Sequence, residues 1–435
     1  MSIHSRSHAR SAALLAAVLC VTAPTFADDS SNKSSAAQPT GLATERLQKI
    51  RPMLQKFVDD GSVAGVVAMV MRDGQVVYQE AVGWADKEAR KPMREDTLFR
   101  IASQTKAVTS VAILQLVEEG KLSFTMPVSR VIPGFAKTTV AVTQDGQTTI
   151  VPAKREITIR DLLTHTAGIS YGTNPHVAAQ YEAKGLGPAA GNGWYFADKN
   201  ETVCDAMDRL ATLPFVSQPG EAYVYGYNTD VLGCVVERVS GQTLEQYFKA
   251  RILDPLGMTD TFFFVPPNKR DRLAVVYASK DGKAVRAPNG SKGQGHYADT
   301  PRPAFSGGAG LVSTAKDYSR FLEMIRRDGE LDGKRILSAR SVALMRTNQV
   351  GTLHAPDGVL GFGYGFQTTE SYGANGMETP GSFGWGGAYG TTYRIDPKER
   401  MVTVFMIQLM PSQVDVRDRF SLMFYQSLTD PAVKL

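Results

Sequence analysis

The run Phe99-Arg-Ile-Ala-Ser103-Gln-Thr-Lys106-Ala-Val-Thr-Ser-Val-Ala-Ile-Leu-Gln-Leu-Val-Glu-Glu-Gly120 opens extended and then reads as one helix, with Gly120 as its stop. Ser103 falls at the helix start and Lys106 three residues on. Positions i and i+3 share a face, so the amine can reach the hydroxyl. The helix N-terminus adds unpaired N–H groups and partial positive charge beside the serine. Beyond Lys106 the helix is apolar nearly all round (Val108, Val111, Ile113, Leu114, Leu116, Val117), the mark of a buried helix. Desolvation favours the neutral form of a lysine placed there and makes it a candidate proton acceptor. A serine hydroxyl is a weak nucleophile until such a base stands beside it.

Spacing alone does not decide this. Ser-x-x-Lys also occurs at Ser30/Lys33, in a polar Ser-rich tract, and at Ser313/Lys316. The latter opens a helix with Thr314 and Asp317 as a cap pair and Tyr318, Phe321, Leu322 and Ile325 as its apolar stripe. Lys316, Arg320 and Glu323 then fall on the wet face. Only Lys106 is embedded in apolar helix. From the residues alone it could equally be a snorkelling lysine behind an N-cap serine.

The chain has 435 residues, 43% of them hydrophobic and 21% charged, which describes a large globular protein of two to three domains or one two-lobed domain. Arg6 and Arg10 precede an apolar run, Ala12–Ala23, too short to span a bilayer, and Thr25-Phe-Ala27 has the small-x-small pattern of a processing site. Residues 1–27 read as a secretory signal peptide, which implies a secreted or periplasmic protein. Its removal takes two arginines and lowers the formal charge from +5 to +3, too little to imply nucleic acid or a membrane surface. No later run is long and apolar enough to cross a membrane. Cys204 and Cys234 lie on apolar stretches of expected helices and read as buried thiols, with a disulfide as the alternative that export would allow. The six histidines are scattered, without metal-site spacing.

Residues 28–42 read as a disordered leader and 43–60 as an amphipathic helix. Val63–Met71 and Gln75–Val82 read as strands joined at Asp73-Gly74, a hairpin signal. From about 126 to 299, Gly/Pro/Asn-rich loops alternate with helices near 158–165, 201–212, 228–240 and 243–253. Strand patterns return at Val359–Thr368, Ser382–Gly384, Gly390–Asp396 and Met401–Gln408, before a helix over 414–428. The expected architecture is α/β (α+β). An antiparallel sheet flanked by helices is built from 43–125 and 300–435, a mainly helical lobe from 126–299, and the active site lies in the cleft between them.

Two further stretches attract attention. In Pro219-Gly-Glu-Ala-Tyr-Val-Tyr225-Gly-Tyr227-Asn228, two tyrosines alternate with glycine and Asn228 is placed to cap the next helix. Aromatic loop packing is the plainer reading. Gly381-Ser-Phe-Gly-Trp385-Gly-Gly-Ala388 is glycine-dense and enters a strand, as expected where a substrate carbonyl approaches backbone N–H groups, or at a bulge. Gly168-Ile-Ser170-Tyr-Gly172 matches Gly-x-Ser-x-Gly, but a helix end precedes it where a nucleophile elbow needs a strand.

Together these residues resemble the serine β-lactamase/penicillin-binding-protein superfamily, in its class C-like branch, and most of all the family VIII carboxylesterases. The resemblance rests on Ser103-Gln-Thr-Lys106, Leu162-Leu-Thr-His-Thr-Ala-Gly168, Pro219-Gly220 with Tyr225, Ser306-Gly-Gly-Ala-Gly-Leu-Val-Ser-Thr-Ala, Trp385-Gly-Gly387 and Asp396-Pro397. It spans roughly residues 45–430 and departs from the superfamily twice. Tyr227 follows Tyr225 where an asparagine is usual, with Asn228 one place late. Trp385-Gly-Gly replaces the Lys-Thr-Gly motif whose lysine helps bind a substrate carboxylate, which favours neutral acyl or alkyl groups.

The resemblance implies Ser103 as acylated nucleophile, Lys106 as its base, and Tyr225 as base and then acid to the leaving alcohol. It implies an oxyanion hole from the backbone N–H groups of Ser103 and Ala388, with Tyr227, Trp385, Gly386 and Gly387 lining the substrate site. It implies a small-molecule ester as substrate and no cofactor. The alternatives are a β-lactamase or D-amino-acid peptidase on the same machinery, and a non-catalytic cell-envelope binding protein.

Overall fold

The computed structural model describes residues 41–187, 199–290, 293–299 and 301–431. The expected signal peptide and nearly all of the leader lie outside the described residues. The leader's last two residues do not: Leu42 bridges Leu428, and Gly41 O accepts from the Thr429 N–H.

The elements used below are, in chain order, helix α1 (Ile50–Asp59), strands β1 (Gly65–Arg72), β2 (Gln75–Asp86) and β3 (Lys91–Pro92), and helix α2 (Thr105–Glu118). Then come β4 (Thr139–Gln144), β5 (Gln147–Pro152), α3 (Ile159–Leu163), α4 (Val203–Leu210), α5 (Asn228–Ser240) and α6 (Ala315–Arg326). The last are β6 (Leu360–Phe362), β7 (Gln367–Thr369), β8 (Phe383–Gly386), β9 (Thr392–Asp396), β10 (Met401–Met406) and α7 (Val416–Tyr425).

Eight antiparallel strands form one sheet in the order β6-β7-β8-β9-β10-β1-β2-β3. The first and last parts of the chain meet in its middle, where β1 pairs with β10 from Val67↔Met406 to Arg72↔Met401. Alternation divides the side chains of these strands between two layers. Val67, Met69, Val402, Val404 and Met406 join the core that holds α2 and α6. Val66, Ala68, Val70 and Phe405 meet Ile50 and Leu54 of α1 and Phe420 and Phe424 of α7 on the other side. Helix α2 has an apolar surface all round and lies inside the molecule, buried from Thr105 to Leu116.

Three local expectations are corrected. The segment 126–299 carries two hairpins as well as helices: β4–β5, and Tyr277–Lys280 with Lys283–Arg286. Each turns at Asp-Gly with both residues at positive φ (Asp145 and Gly146, Asp281 and Gly282), as Asp73-Gly74 does. The run Val359–Thr368 is two strands, β6 and β7, because Gly363-Tyr-Gly365 interrupts it. Glu323 of α6 is buried, its carboxylate held by Arg326 over 2.7 Å, so it does not lie on a wet face.

Cys204 of α4 and Cys234 of α5 are bonded to each other. The two helices pack side by side with these Cα atoms 4.9 Å apart, within bonding range. The reading as two separate thiols is therefore wrong.

Candidate active site

Strand pairing of Phe99–Arg100 with Val312–Ser313 delivers the chain to Ala102, which takes a left-handed φ of 49° although it is fully buried. An L-residue held there costs on the order of 1–2 kcal/mol and persists because the surroundings fix it. The turn leads through a 3₁₀ segment, Ala102–Gln104, into α2 and presents Ser103, 7% exposed. Lys106, 2% exposed, donates from Nζ to Ser103 Oγ (3.2 Å), to Gly308 O (2.8 Å) and to the Tyr171 hydroxyl (3.1 Å). The same Nζ stands 4.6 Å from the centroid of the Tyr225 ring.

The Ser306–Leu311 strip runs along α2. Gly307 O accepts from Thr109 Oγ1, Gly308 O from Lys106, and the Leu311 N–H donates to Thr105 Oγ1. Behind the strip lies Asp230 of α5, whose Oδ1 accepts from Ser306 Oγ (2.6 Å) and from the Gly308 N–H (3.1 Å). A Cβ on Gly308 would lie 2.6 Å from that carboxylate, so only glycine fits. Burial pushes the Asp230 carboxyl above its ordinary range, opposed by the Ser306 hydrogen bond and by the charge of Lys106. The Gly308 peptide thus joins a buried carboxylate at its N–H to the buried amine at its C=O.

Tyr225 comes from the loop before α5, held where the Val224 N–H donates to His165 O. Its ring packs against His165 (4.8 Å between centroids), Tyr171 (5.7 Å) and Trp385 (5.5 Å), and Trp385 Nε1 donates to its oxygen over 3.2 Å. His165 is buried and kept neutral: burial first, then the charges of Lys106 and His354, holds its protonation well below 6.5. Asn228 does not cap α5; its Nδ2 donates to His165 Nδ1 (3.0 Å) and to two carbonyls, Ile169 O and Val224 O, which ties the two loops together.

On the third side, β8 ends against the serine turn. A Cβ on Gly387 would meet Ile101 O at 2.4 Å, the close backbone approach that paired glycines permit. Ser103, Tyr225, Trp385, Gly386, Gly387 and Ala388 all line one cavity of about 720 Å³. The Ala388 N–H, outside any strand, donates to no protein acceptor among the described residues.

One expected site residue is elsewhere. Tyr227 is fully buried, its hydroxyl donating to Leu186 O and its ring packed on Tyr171, so it supports the site from behind and does not line it. Ser170, inside the Gly-x-Ser-x-Gly match, accepts the Gly172 N–H in a loop after α3. Its neighbour Tyr171 is the residue that reaches Lys106. Tyr171 and Asp230 carried no motif of their own. Among the described residues no cluster of His, Cys, Asp or Glu is placed to hold a metal ion, and no helix is long and apolar enough to cross a membrane.

A family model described as Beta-lactamase matches residues 50–426. Among curated relatives, "Protein Rv1367c" of Mycobacterium tuberculosis is 37% identical over 82% of this chain and 89% of its own length. "Esterase EstB" of Burkholderia gladioli is 34% identical over 77% and 83%. Among solved structures, "EstCE1, a hydrolase with promiscuous acyltransferase activity" superposes with a TM-score of 0.73 at 28% identity, covering 88% of this chain and 98% of that one.

Proposed function

The chain belongs to the beta-lactamase family and is a serine hydrolase, and on that premise we propose that it cleaves carboxylic esters through an acyl-Ser103 intermediate. The observation that carries the proposal is the 3.2 Å contact between Ser103 Oγ and the Nζ of buried Lys106, at the edge of a cavity shared with Tyr225. Ser103 Oγ attacks the ester carbonyl carbon and loses its proton to the Lys106–Tyr225 pair. Negative charge gathers on the carbonyl oxygen, where the N–H groups of Ser103 and Ala388 receive it. The bond to the alkoxy oxygen then breaks, and the pair returns the proton to the departing alcohol. Water repeats the sequence on the acyl-serine, releasing acid and free enzyme. The proton belongs to the pair as a unit.

An ester is favoured over a β-lactam or D-amino-acid peptide because, among the described residues, no lysine lines the cavity to meet a substrate carboxylate. Trp385 stands where the superfamily's lysine is expected. The two arginines lining the cavity are paired, Arg394 with Glu378 and Arg417 with Asp418. The relatives named as esterases support the same choice. The proposed location is outside the cytoplasm, secreted or periplasmic, supported by the leader pattern and by the Cys204–Cys234 bond.

The test is hydrolysis of p-nitrophenyl esters beside nitrocefin, with a fluorophosphonate label located by mass spectrometry. The label should sit on Ser103 and vanish in Ser103→Ala but not in Ser170→Ala. Faster turnover of nitrocefin than of p-nitrophenyl butyrate would replace the esterase assignment with the β-lactamase one. No labelling and no turnover would leave the non-catalytic binding protein.

A further inference from the structure

The cavity at Ser103 does not end at Ser103. Along β8, Phe383 and Trp385 face the layer of α2, so Gly384 and Gly386 face the layer of α7. Register then lays out two rows on that outer face. One is Gly386–Thr392–Phe405, the other Gly384–Arg394–Thr403. Every residue of these rows except Gly384 lines the cavity. In the space of a missing Gly384 side chain lies the stem of Arg394, whose Cδ is 2.7 Å from where a Cβ would be. The cavity therefore passes round the bare end of β8, from the serine on one side of the sheet to a trough on the other. Ala374–Gly376 and Ser421–Leu422 of α7 form the walls of that trough.

The geometry points to this trough as a binding subsite for the distal part of the substrate, an uncharged, oxygen-bearing hydrocarbon group carried by the ester. This rests on the assignment of Ser103 as the nucleophile and specifies which esters it takes. Three features set the chemistry. Phe405, Phe420 and Leu422 give apolar surface, while Thr403 and Ser421 give hydroxyls that can meet ether, carbonyl or alcohol oxygens. The four charged side chains lining the cavity form two pairs of opposite sign, so they add no net charge to it. Arg394 Nε lies 3.0 Å from Glu378 Oε1 and its Nη2 donates to Gln367, while its buried Nη1 has no hydrogen-bond partner among the described residues and can donate to a neutral oxygen; Arg417 pairs with Asp418 at 2.9 Å. A carboxylate at Arg394 would have to share the guanidinium with Glu378 and meet its like charge, which is costly in a partly desolvated site, whereas a neutral oxygen would not. The volume, about 720 Å³, falls in the range of sites that enclose a ligand of drug size, and a short acyl ester at Ser103 leaves the outer arm empty.

The test is to fill the trough from either wall with Ser421→Trp and Ala374→Trp, neither of which is in the hydrolytic machinery. Substrates are p-nitrophenyl acetate, then a long neutral series in two arms: p-nitrophenyl esters of ether-containing fatty acids, and butyrates of the matching long alcohols. An ω-carboxylate analogue completes each arm. Wild-type enzyme should prefer the neutral long ester to its carboxylate analogue by roughly ten-fold or more in kcat/KM. Both variants should lose about ten-fold on the long neutral ester, mainly in KM, and stay within about two-fold of wild type on acetate. The arm that responds tells whether the trough takes the acyl or the alcohol side. Equal effects on acetate and long esters, no effect in either arm, or preference for the carboxylate analogue would overturn the proposal. Failure of the nucleophile assignment is seen separately, as acetate hydrolysis that survives Ser103→Ala.

Discussion

The indole Nε1–H of Trp385 donates to the phenol oxygen of Tyr225 over 3.2 Å. An indole nitrogen only donates, so at this contact the tyrosine oxygen is an acceptor and its own proton points elsewhere. Trp385 therefore touches the group proposed to handle the proton as well as lining the cavity. Trp385→Phe keeps most of the ring and removes the donor. Such a bond is worth about 0.5–1.5 kcal/mol, so kcat for p-nitrophenyl butyrate should fall roughly 2- to 10-fold. Trp385→Lys should also slow ester turnover, even as it places a cation where a β-lactam carboxylate would lie. A wild-type kcat in the phenylalanine variant would show that the bond does nothing in the reaction.

Two phenols face Lys106, and they are separable. Tyr225 lines the cavity with Ser103, whereas the Tyr171 hydroxyl binds the amine 3.1 Å away without lining it. Lys106→Ala and Tyr225→Phe should each cost about 10²-fold or more in kcat, the range of acid–base groups. The double variant should lose much less than the product of the two. Tyr171→Phe should cost about ten-fold or less, by loosening the amine. Single-turnover burst kinetics read each directly, and a larger loss in Tyr171→Phe than in Tyr225→Phe would transfer the proton relay to Tyr171.

Asp230 gives a graded prediction. Asp230→Asn can still accept from Ser306 and Gly308 and loses only the charge, whereas Asp230→Ala leaves both donors buried and unpaired at about 1–3 kcal/mol each. Alanine should therefore lower both the melting temperature and kcat/KM. Asparagine should leave the melt nearly unchanged while kcat/KM falls about ten-fold, because the Gly308 peptide beside Lys106 loses its countercharge. Identical melts and rates for wild type, asparagine and alanine would remove Asp230 from the site.

Stability should fall on acidification because of His165. In the folded protein, burial first and the Lys106 charge second keep it unprotonated well below 6.5, while the unfolded chain protonates it at its ordinary value. Between those two values the unfolded state binds more protons, so stability rises with pH and is lost as pH drops below 6.5. The slope from this one residue is about 1.4 kcal/mol per pH unit. His354, lowered by burial, adds in the same direction. Urea midpoints at pH 7, 6 and 5 should decline, and less steeply in His165→Asn. An unchanged slope in that variant would mean that His165 is protonated in the fold.

What could be read from the sequence followed from how local the physics was. Ser103 and Lys106 lie one helical turn apart, so their contact follows from the helix alone. The buried α2 and the β1–β2 hairpin were legible for the same reason, since composition and the Asp73-Gly74 turn sit within the element they specify. Asp145-Gly146 and Asp281-Gly282 carry the same turn signal, but inside a stretch whose loops and helices dominate the pattern. Tyr171 was out of reach because its role depends on a loop closing over α2 from 65 residues away. Asp230 looks like one acid in the first turn of a helix until the Ser306 strip lies against it. The Cys204–Cys234 bond needed the packing of α4 on α5, which no spacing of two cysteines fixes.

The pairing of β1 with β10 also sets a timetable. When residues 67–72 leave the ribosome their partners, 401–406, are more than three hundred residues from being made. Until then β1 has one neighbour, β2, and an open edge available to any other strand. The contact of Ile101 with Gly387 waits almost as long. The sheet is therefore assembled after synthesis of nearly the whole chain, across separations that make folding slow and leave a partly made product exposed to aggregation. A chain halted before residue 401 would carry Ser103 and Lys106 and still have no central strand to close upon.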